Sequence, residues 1–377
     1  MTKPDDAELH EVALQHAREW FPELKGPTIS VREDAARRRP TCVLRRVQLS
    51  DGTLCRSVIV KTRTGSVGAP HGVPAGRPTL LPEGAAPLLD PARREYDGLC
   101  LIADMLQGKR DSRFGVVRPL AWLRASGSIV MDHVSSPTLR DILVASSRLR
   151  RPFRRSTVAV QPFERVGAWL RILHDRDCAL PLTERGASRE HLVQLCSKYE
   201  VYLRRRAGAP RSTASLAEAT ARGLADTLPQ SPRLVTGHGD FAARNVFCDP
   251  AGRISVFDPL PRWRAPVFED LSRFIVGVRL LGLQALTRGF ALRISEVDDI
   301  ETAVISGYFA GAAVPARAVH AFTALVLMDK WTAMADKAER GLLGRGRAVL
   351  SRDYYVAEAD RLTGLLLTGQ AAEDVRG

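Results

Sequence analysis

Apolar positions recur at helical spacing near the start of the chain. Leu9, Val12, Ala13, His16 and Trp20 share one face of residues 5–20, which predicts a short amphipathic helix ended by Pro22, Gly26 and Pro27. The pattern then shifts to β-type runs, Thr28 to Arg32 and Thr41 to Leu49, with Asp51-Gly52 as a hairpin turn. A third run, Ser57 to Val60, ends in Lys61. Three short runs joined by tight turns predict an antiparallel sheet. Helical spacing resumes near Ala92 through Leu99, Ile102, Ala103 and Leu106, with Glu95 in the first turn. Two more strand-like pieces, Val116 to Leu123 and Gly127 to Met131, complete the small sheet.

Residues 64–91, between the third run and that helix, are punctuated by glycine and proline and read as a flexible insertion or long loop. The polar stretch Asp132 to Pro137 reads as a connector, and Thr138 can cap the helix after it. From there the pattern is mainly helical: Phe163 to His174, His191 to Arg206, Ser212 to Leu228, and everything after Phe268. One hairpin interrupts it, with Asp249-Pro250-Ala251-Gly252 as the turn between Asn245–Phe247 and Arg253–Phe257. No internal repeat is present.

Composition narrows the class. The 377 residues can form two domains or one large unit, and 45% hydrophobic with 26% charged residues is ordinary for a soluble globular protein. No apolar run approaches the ~20 residues of a membrane span. The N-terminus carries Lys3, Asp5, Asp6 and Glu8 and no apolar signal segment. Six scattered cysteines without a C-x-x-C pair argue against a zinc site or a disulfide framework, so a reducing cytoplasm is expected. The net charge of +13 is mostly arginine spread along the chain, with no nucleic-acid-binding motif, so no nucleic-acid partner is expected.

The chemistry concentrates in His238-Gly239-Asp240-Phe241-Ala242-Ala243-Arg244-Asn245-Val246-Phe247, followed by Asp258 at the end of the apolar run Ile254–Phe257. Phosphoryl transfer needs such a set. One carboxylate, Asp240, can orient an attacking hydroxyl, while the amide of Asn245 and the carboxylate of Asp258 can hold the magnesium that bridges nucleotide phosphates. His238 and Arg244 join Asp240 as candidate catalytic residues. If Cys248 pairs with Arg253 across the turn, Asn245 lies opposite Val256, and Asp258 is two residues on, roughly 7 Å along the strand. Both side chains could then reach one cation, and magnesium takes oxygen ligands.

The chain resembles the aminoglycoside phosphotransferase family, within the protein-kinase-like fold. Its members commonly show H-G-D-x-x-x-x-N followed by a strand and an Asp, and Phe268 to Phe274 looks like their downstream E-D-L-A segment. The resemblance implies an α+β, bilobal fold: a small antiparallel-sheet lobe over residues 1–132, which binds nucleotide, and a larger, mainly helical lobe over residues 133–377. It implies Asp240 as catalytic base or hydroxyl-orienting group, Asn245 and Asp258 as magnesium ligands, and Asp270 as a brace for the catalytic loop. Lys61 resembles the lysine that contacts the α- and β-phosphates, held by an ion pair to Glu95, with Glu83 the alternative. Met131, Asp132 and Val134 occupy the place of the hinge, whose backbone would meet adenine.

The chain also departs from that pattern. No glycine-rich loop precedes Lys61, because Glu33 to Pro40 occupies its place, with Arg37 to Arg39 expected to face water. Asp258-Pro259-Leu260 replaces D-F-G and loses the phenylalanine used in kinase switching. Both departures point away from protein substrates. Arg148, Arg150, Arg151, Arg154 and Arg155, with Arg204 to Arg206, could meet an anionic substrate or an anionic membrane, though a solvated face is the simpler expectation. Glu296, Asp298, Asp299 and Glu301 could attract a cationic antibiotic, though Ser295 with Asp298 suggests helix capping instead. The expected activity is magnesium-dependent transfer of the γ-phosphate of ATP, or GTP, to a hydroxyl of a small molecule. Kinases of glycolipid core sugars and non-catalytic nucleotide-binding scaffolds are the alternatives.

Overall fold

The computed structural model describes residues 4–39, 41–64, 76–80, 90–107, 111–152, 157–176, 182–184, 187–261, 263–339 and 341–374. Helix α1 (Pro4–Trp20) buries Leu9, Ala13, Ala17 and Trp20 against one face of a sheet, where Val47, Leu49, Val58 and Val60 receive them. The predicted stripe is the one buried, because a 3.6-residue period puts those positions on one side.

Strands β1 (Ser30–Glu33), β2 (Arg37–Arg38), β3 (Cys42–Ser50) and β4 (Cys55–Arg63) are followed by α2 (Pro91–Leu106) and by β5 (Phe114–Val116), β6 (Pro119–Leu123) and β7 (Ser128–Asp132). Six of these form one antiparallel sheet in the order β1-β3-β4-β7-β6, with β2 also on β3. The Asp51 carboxylate secures the β3–β4 turn by accepting from the backbone N–H groups of Gly26, Thr53 and Leu54. Arg37 and Arg38 are exposed, as expected, and their short strand pairs with Leu44 and Val43. One expectation is corrected in this region. Val116 to Leu123 is not one strand. Pro119 lacks the N–H needed to continue a ladder, so the run divides, and β5 leaves the sheet altogether.

The chain continues through α3 (Leu139–Ala145), α4 (Gln161–His174), β8 (Thr183–Glu184), α5 (Arg189–Ala207), α6 (Ser212–Thr227) and β9 (Leu234–Thr236). Next come β10 (Val246–Cys248), β11 (Ile254–Val256), β12 (Trp263–Pro266), α7 (Glu269–Arg279), α8 (Gly282–Leu286), α9 (Ile294–Phe309), α10 (Ala316–Glu339) and α11 (Leu342–Asp374). Thr138 caps α3 as expected, in a reciprocal box with Asp141. The cap expected at Ser295 is displaced. Helix α9 already begins at Ile294, and the Glu296 carboxylate accepts the Arg293 N–H. A sheet the periodicity did not reveal, in the order β8-β12-β9, flanks the entry to the catalytic stretch. Its strands of two to four residues are too short to show alternation.

Two apolar clusters hold the helices. One joins α4, α7 and α9 to the β10–β11 hairpin, and the other joins α5, α6, α10 and α11. Helices α4 and α9 meet backbone to backbone at Gly167 and Gly307, where an added Cβ would lie 2.0 Å from the Val304 carbonyl or 1.9 Å from that of Glu164. Strand β5 pairs in parallel with β11, so the segment after α2 is woven into the hairpin sheet. Part of the insertion is equally committed. Leu80 is buried among α5 and α10 side chains, with its N–H 3.4 Å from the Asp329 carboxylate, and Arg77 pairs with Asp336 at 3.2 Å. Residues 65–75 and 81–89, including Glu83, lie outside the described residues, as do Arg154 and Arg155.

Candidate active site

Strand β4 carries Lys61, and α2 carries Glu95 one turn inside its N-terminus, where Asp90 caps the helix. The Lys61 ammonium lies 2.7 Å from Glu95 Oε1 and 2.5 Å from Asp258 Oδ1. Glu95 is therefore a partner of Lys61, as expected. Arg63, two residues along the same face of β4, bonds the other oxygen of Glu95 and lies 3.4 Å from Asp258 Oδ1. Alternation along a strand places Lys61 and Arg63 on one side, which was a readable signal for Arg63 that spacing analysis missed. Burial works against the Lys61 ammonium, but Asp258 and Glu95 outweigh it and raise its pKa. Burial, then the charge of Asp258, pushes Glu95 up to about 7. Burial would raise Asp258 too, yet Lys61 above all keeps it below the usual carboxylate range.

Asp258 reaches this cluster because of an unusual backbone. Its φ is 58°, in the left-handed region that Asp tolerates better than most residues, and it ends β11 by turning the chain sharply. The hairpin register differs from the expected one. Cys248 pairs with Ile254 and Val246 with Val256, so the loop is one residue longer than expected, and Asp249 caps it by accepting from the N–H groups of Ala251 and Arg253. Asn245 consequently faces Phe257, whose N–H it accepts at 3.0 Å, one residue before Asp258 rather than two. The Asn245 amide nitrogen donates to the Asp240 carbonyl at 2.8 Å and to its carboxylate at 3.2 Å. That orientation leaves the amide oxygen directed away from Asp240.

The loop carrying Asp240 is held from below. Trp169 stacks on Phe241 with centroids 5.7 Å apart, and Phe241 packs on Phe274 and His238. His238 is buried; its Nε2 donates to the Phe257 carbonyl at 3.1 Å, and its Nδ1 accepts the Asp240 N–H at 3.3 Å. These partners suit a neutral ring, and burial depresses its pKa. His238 therefore shapes the loop and does not reach outward. Asp270, at the start of α7, accepts the His238 N–H at 2.6 Å and lies 3.6 Å from His174 Nε2. Burial opposes the charge on Asp270, but His174 and the His238 N–H hold its pKa low. Gly239 has a φ of +84°, and a Cβ there would sit 2.1 Å from the Leu260 carbonyl. Only glycine fits this crossing.

Asp240 itself is open to solvent and forks with the Arg244 guanidinium at 2.5 and 2.6 Å. Lys330 of α10 lies within electrostatic reach of Asp240 and Arg244, and burial, then Arg273, lowers its pKa. Nothing in the sequence marked Lys330, because α10 is apolar on most sides and shows no periodic face. In the hinge region, the Asp132 N–H is taken by the Arg118 carbonyl at 3.0 Å and its carboxylate by the Arg118 side chain. The His133 N–H goes to the Ser57 carbonyl. Met131 belongs to a buried apolar cluster, and Val134 packs against it together with Ile59 and the stacked pair Phe247–Phe257. Three acids of α9 are engaged, Asp298 and Glu301 with Arg279 and Glu296 as a cap, while Asp299 is exposed.

No family model matches the chain, and no curated protein matches it either. Solved structures do. A spectinomycin phosphotransferase in complex with ADP and spectinomycin is 12% identical, covering 89% of this chain and 93% of that chain with a TM-score of 0.50. A thermostable mutant of an aminoglycoside phosphotransferase in complex with ADP and hygromycin B is 11% identical, covering 93% and 98%, TM-score 0.48. The choline kinase LicA from Streptococcus pneumoniae is 14% identical, covering 94% and 98%, TM-score 0.44. The likeness to the first, over nearly the whole of both chains, shows that this chain has the protein-kinase-like fold of the aminoglycoside phosphotransferases.

Proposed function

We propose that this protein is a magnesium-dependent phosphotransferase that moves the γ-phosphate of ATP, or GTP, to a hydroxyl of a small molecule. The observation that carries this reading is the convergence of Lys61, Glu95 and Asp258 beside the Asn245–Asp240 pair, drawn from a strand, a helix, a hairpin and a loop. Ile59, Val134 and the Phe247–Phe257 stack supply an apolar slot for a planar base. Lys61, steadied by Glu95, stands where it can grip the phosphates.

The donor set fits a hard cation. The Asn245 amide oxygen faces away from Asp240, and Lys61 and Arg63 contact Asp258 through Oδ1 only, so a second carboxylate oxygen remains. Bound there, magnesium would neutralise charge on the transferring phosphate. The residues do the positioning. Asp240, exposed beside Arg244, aligns the acceptor hydroxyl and takes up its proton as the bond to phosphorus forms. Arg244 and Lys330 offset the charge that gathers there.

Slow ATP turnover in the wild type, lost in Asp240→Ala, is the expected result. Equal rates in the two proteins would remove the enzymatic reading. Calorimetry should show that Asp258→Ala loses magnesium-dependent nucleotide binding. A phosphate-transfer screen across sugars, amino alcohols and antibiotics then identifies the acceptor.

A further inference from the structure

The largest exposed apolar side chains gather on one side of the larger lobe. Helix α11 begins with Leu342 and Leu343, 82% and 87% exposed, followed by Val349 at 65% and Leu350 at 50%. Phe290 and Ile294, at the α8–α9 connection, are 56% and 49% exposed, and Leu149 after α3 is 49% exposed. Water-facing leucine pairs at such exposure carry a free-energy cost that a globular surface normally avoids unless something covers them.

Direct contacts join the three segments. The Arg148 N–H donates to the Ala291 carbonyl at 2.9 Å, and its guanidinium lies 5.6 Å from the Phe290 ring centroid. Arg288 pairs with Asp353 of α11 at 3.2 Å. A Cβ at Gly289 would lie 3.2 Å from the ring of Tyr354. Val349 precedes Asp353 by four residues and Leu350 precedes Tyr354 by four, so both point to that same side, with Leu342 and Leu343 two turns further out.

Charge decides the occupant. Segments 148–151, 288–294 and 342–353 contribute three, two and three arginines, and their single acid, Asp353, is already paired with Arg288. A second copy would bring the same arginines face to face. Exposed aliphatic and aromatic tips set among arginines match an interfacial membrane contact, in which apolar groups enter the headgroup boundary while guanidinium groups meet anionic lipid. We propose that this face of the larger lobe docks on an anionic membrane surface, with the first three turns of α11 as the inserting element. This does not depend on the catalytic reading, and it gives the arginines 148, 150 and 151 a role that phosphoryl transfer leaves unassigned.

The test is sedimentation of the full chain with vesicles. Binding is expected to phosphatidylglycerol-rich vesicles, absent with pure phosphatidylcholine, and weakened by salt. Leu342→Ser with Leu343→Ser, and separately Arg150→Glu with Arg151→Glu, should each weaken it by roughly tenfold or more, since each basic residue near a surface contributes about 1 kcal/mol. All four side chains are exposed, and unchanged thermal melting confirms that the variants fold. Failure of the wild type to bind anionic vesicles overturns the proposal. So does equal binding by the double-serine variant, or a dimer by light scattering that this variant dissociates.

Discussion

The two halves of the candidate site are built on opposite electrostatic terms. On the nucleotide side, Lys61, Arg63, Glu95 and Asp258 are drawn together out of water, two cations against two carboxylates. On the acceptor side, Asp240 and Arg244 form a pair about half exposed on a loop whose backbone is fixed from beneath. Burial makes the first a structural unit. Losing any member strands its partner in a low-dielectric setting, whereas solvent screens the second pair and leaves it free to exchange partners. The proposed phosphotransfer would benefit from that division, because the nucleotide grip would stay constant while the acceptor changes its contacts through reaction.

Variants can break or sharpen this contrast. Glu95→Ala should have the largest effect, a loss of roughly 3–5 kcal/mol in denaturant unfolding, because Lys61 and Arg63 are left with Asp258 alone. A loss close to zero would mean the cluster is not the buried unit described. Gly239→Ala comes next, at roughly 1–3 kcal/mol, from a positive φ and the Leu260 carbonyl in its path. Turnover should fall with it, and a crystal structure or a melting curve identical to wild type would remove the argument for a fixed loop.

The pH dependence probes the support beneath the loop. Burial lowers the pKa of His238, and of His133 and His320 elsewhere, below the ordinary value of 6.5. The unfolded chain takes up these protons first, so the stability held by neutral rings is full above pH 6.5 and is lost as pH falls through the lowered values. Melting temperature should drop between pH 7 and 5, with a slope of at most about 1.4 kcal/mol per pH unit for each histidine. His238→Gln should flatten that slope, and an unchanged slope would clear His238 of the role. Arg244→Ala should change stability least, by about 0–1 kcal/mol, while still slowing turnover. A stability loss equal to that of Glu95→Ala would erase the distinction between the two halves.

Sequence alone determined the succession of the longer helices and strands and the spacing of Asp240, Asn245 and Asp258, because both depend on local pattern. The stripe of α1, the cap at Thr138 and the β3–β4 turn were legible for the same reason: each depends on local periodicity or a local hydrogen bond. Lys61 and Glu95 could be paired only through a resemblance, since 34 residues separate them and an insertion lies between. Tertiary structure decided the rest. It folded Asp258 back onto Lys61 across 197 positions, added Arg63 to that pair, set His174 behind Asp270, and brought Lys330 of α10 within electrostatic reach of Asp240. It moved β5 onto β11, and it shifted the hairpin by one residue through the capping of Asp249. Contacts of that kind arise when distant apolar faces pack, and a one-dimensional pattern records which faces exist but not which of them meet.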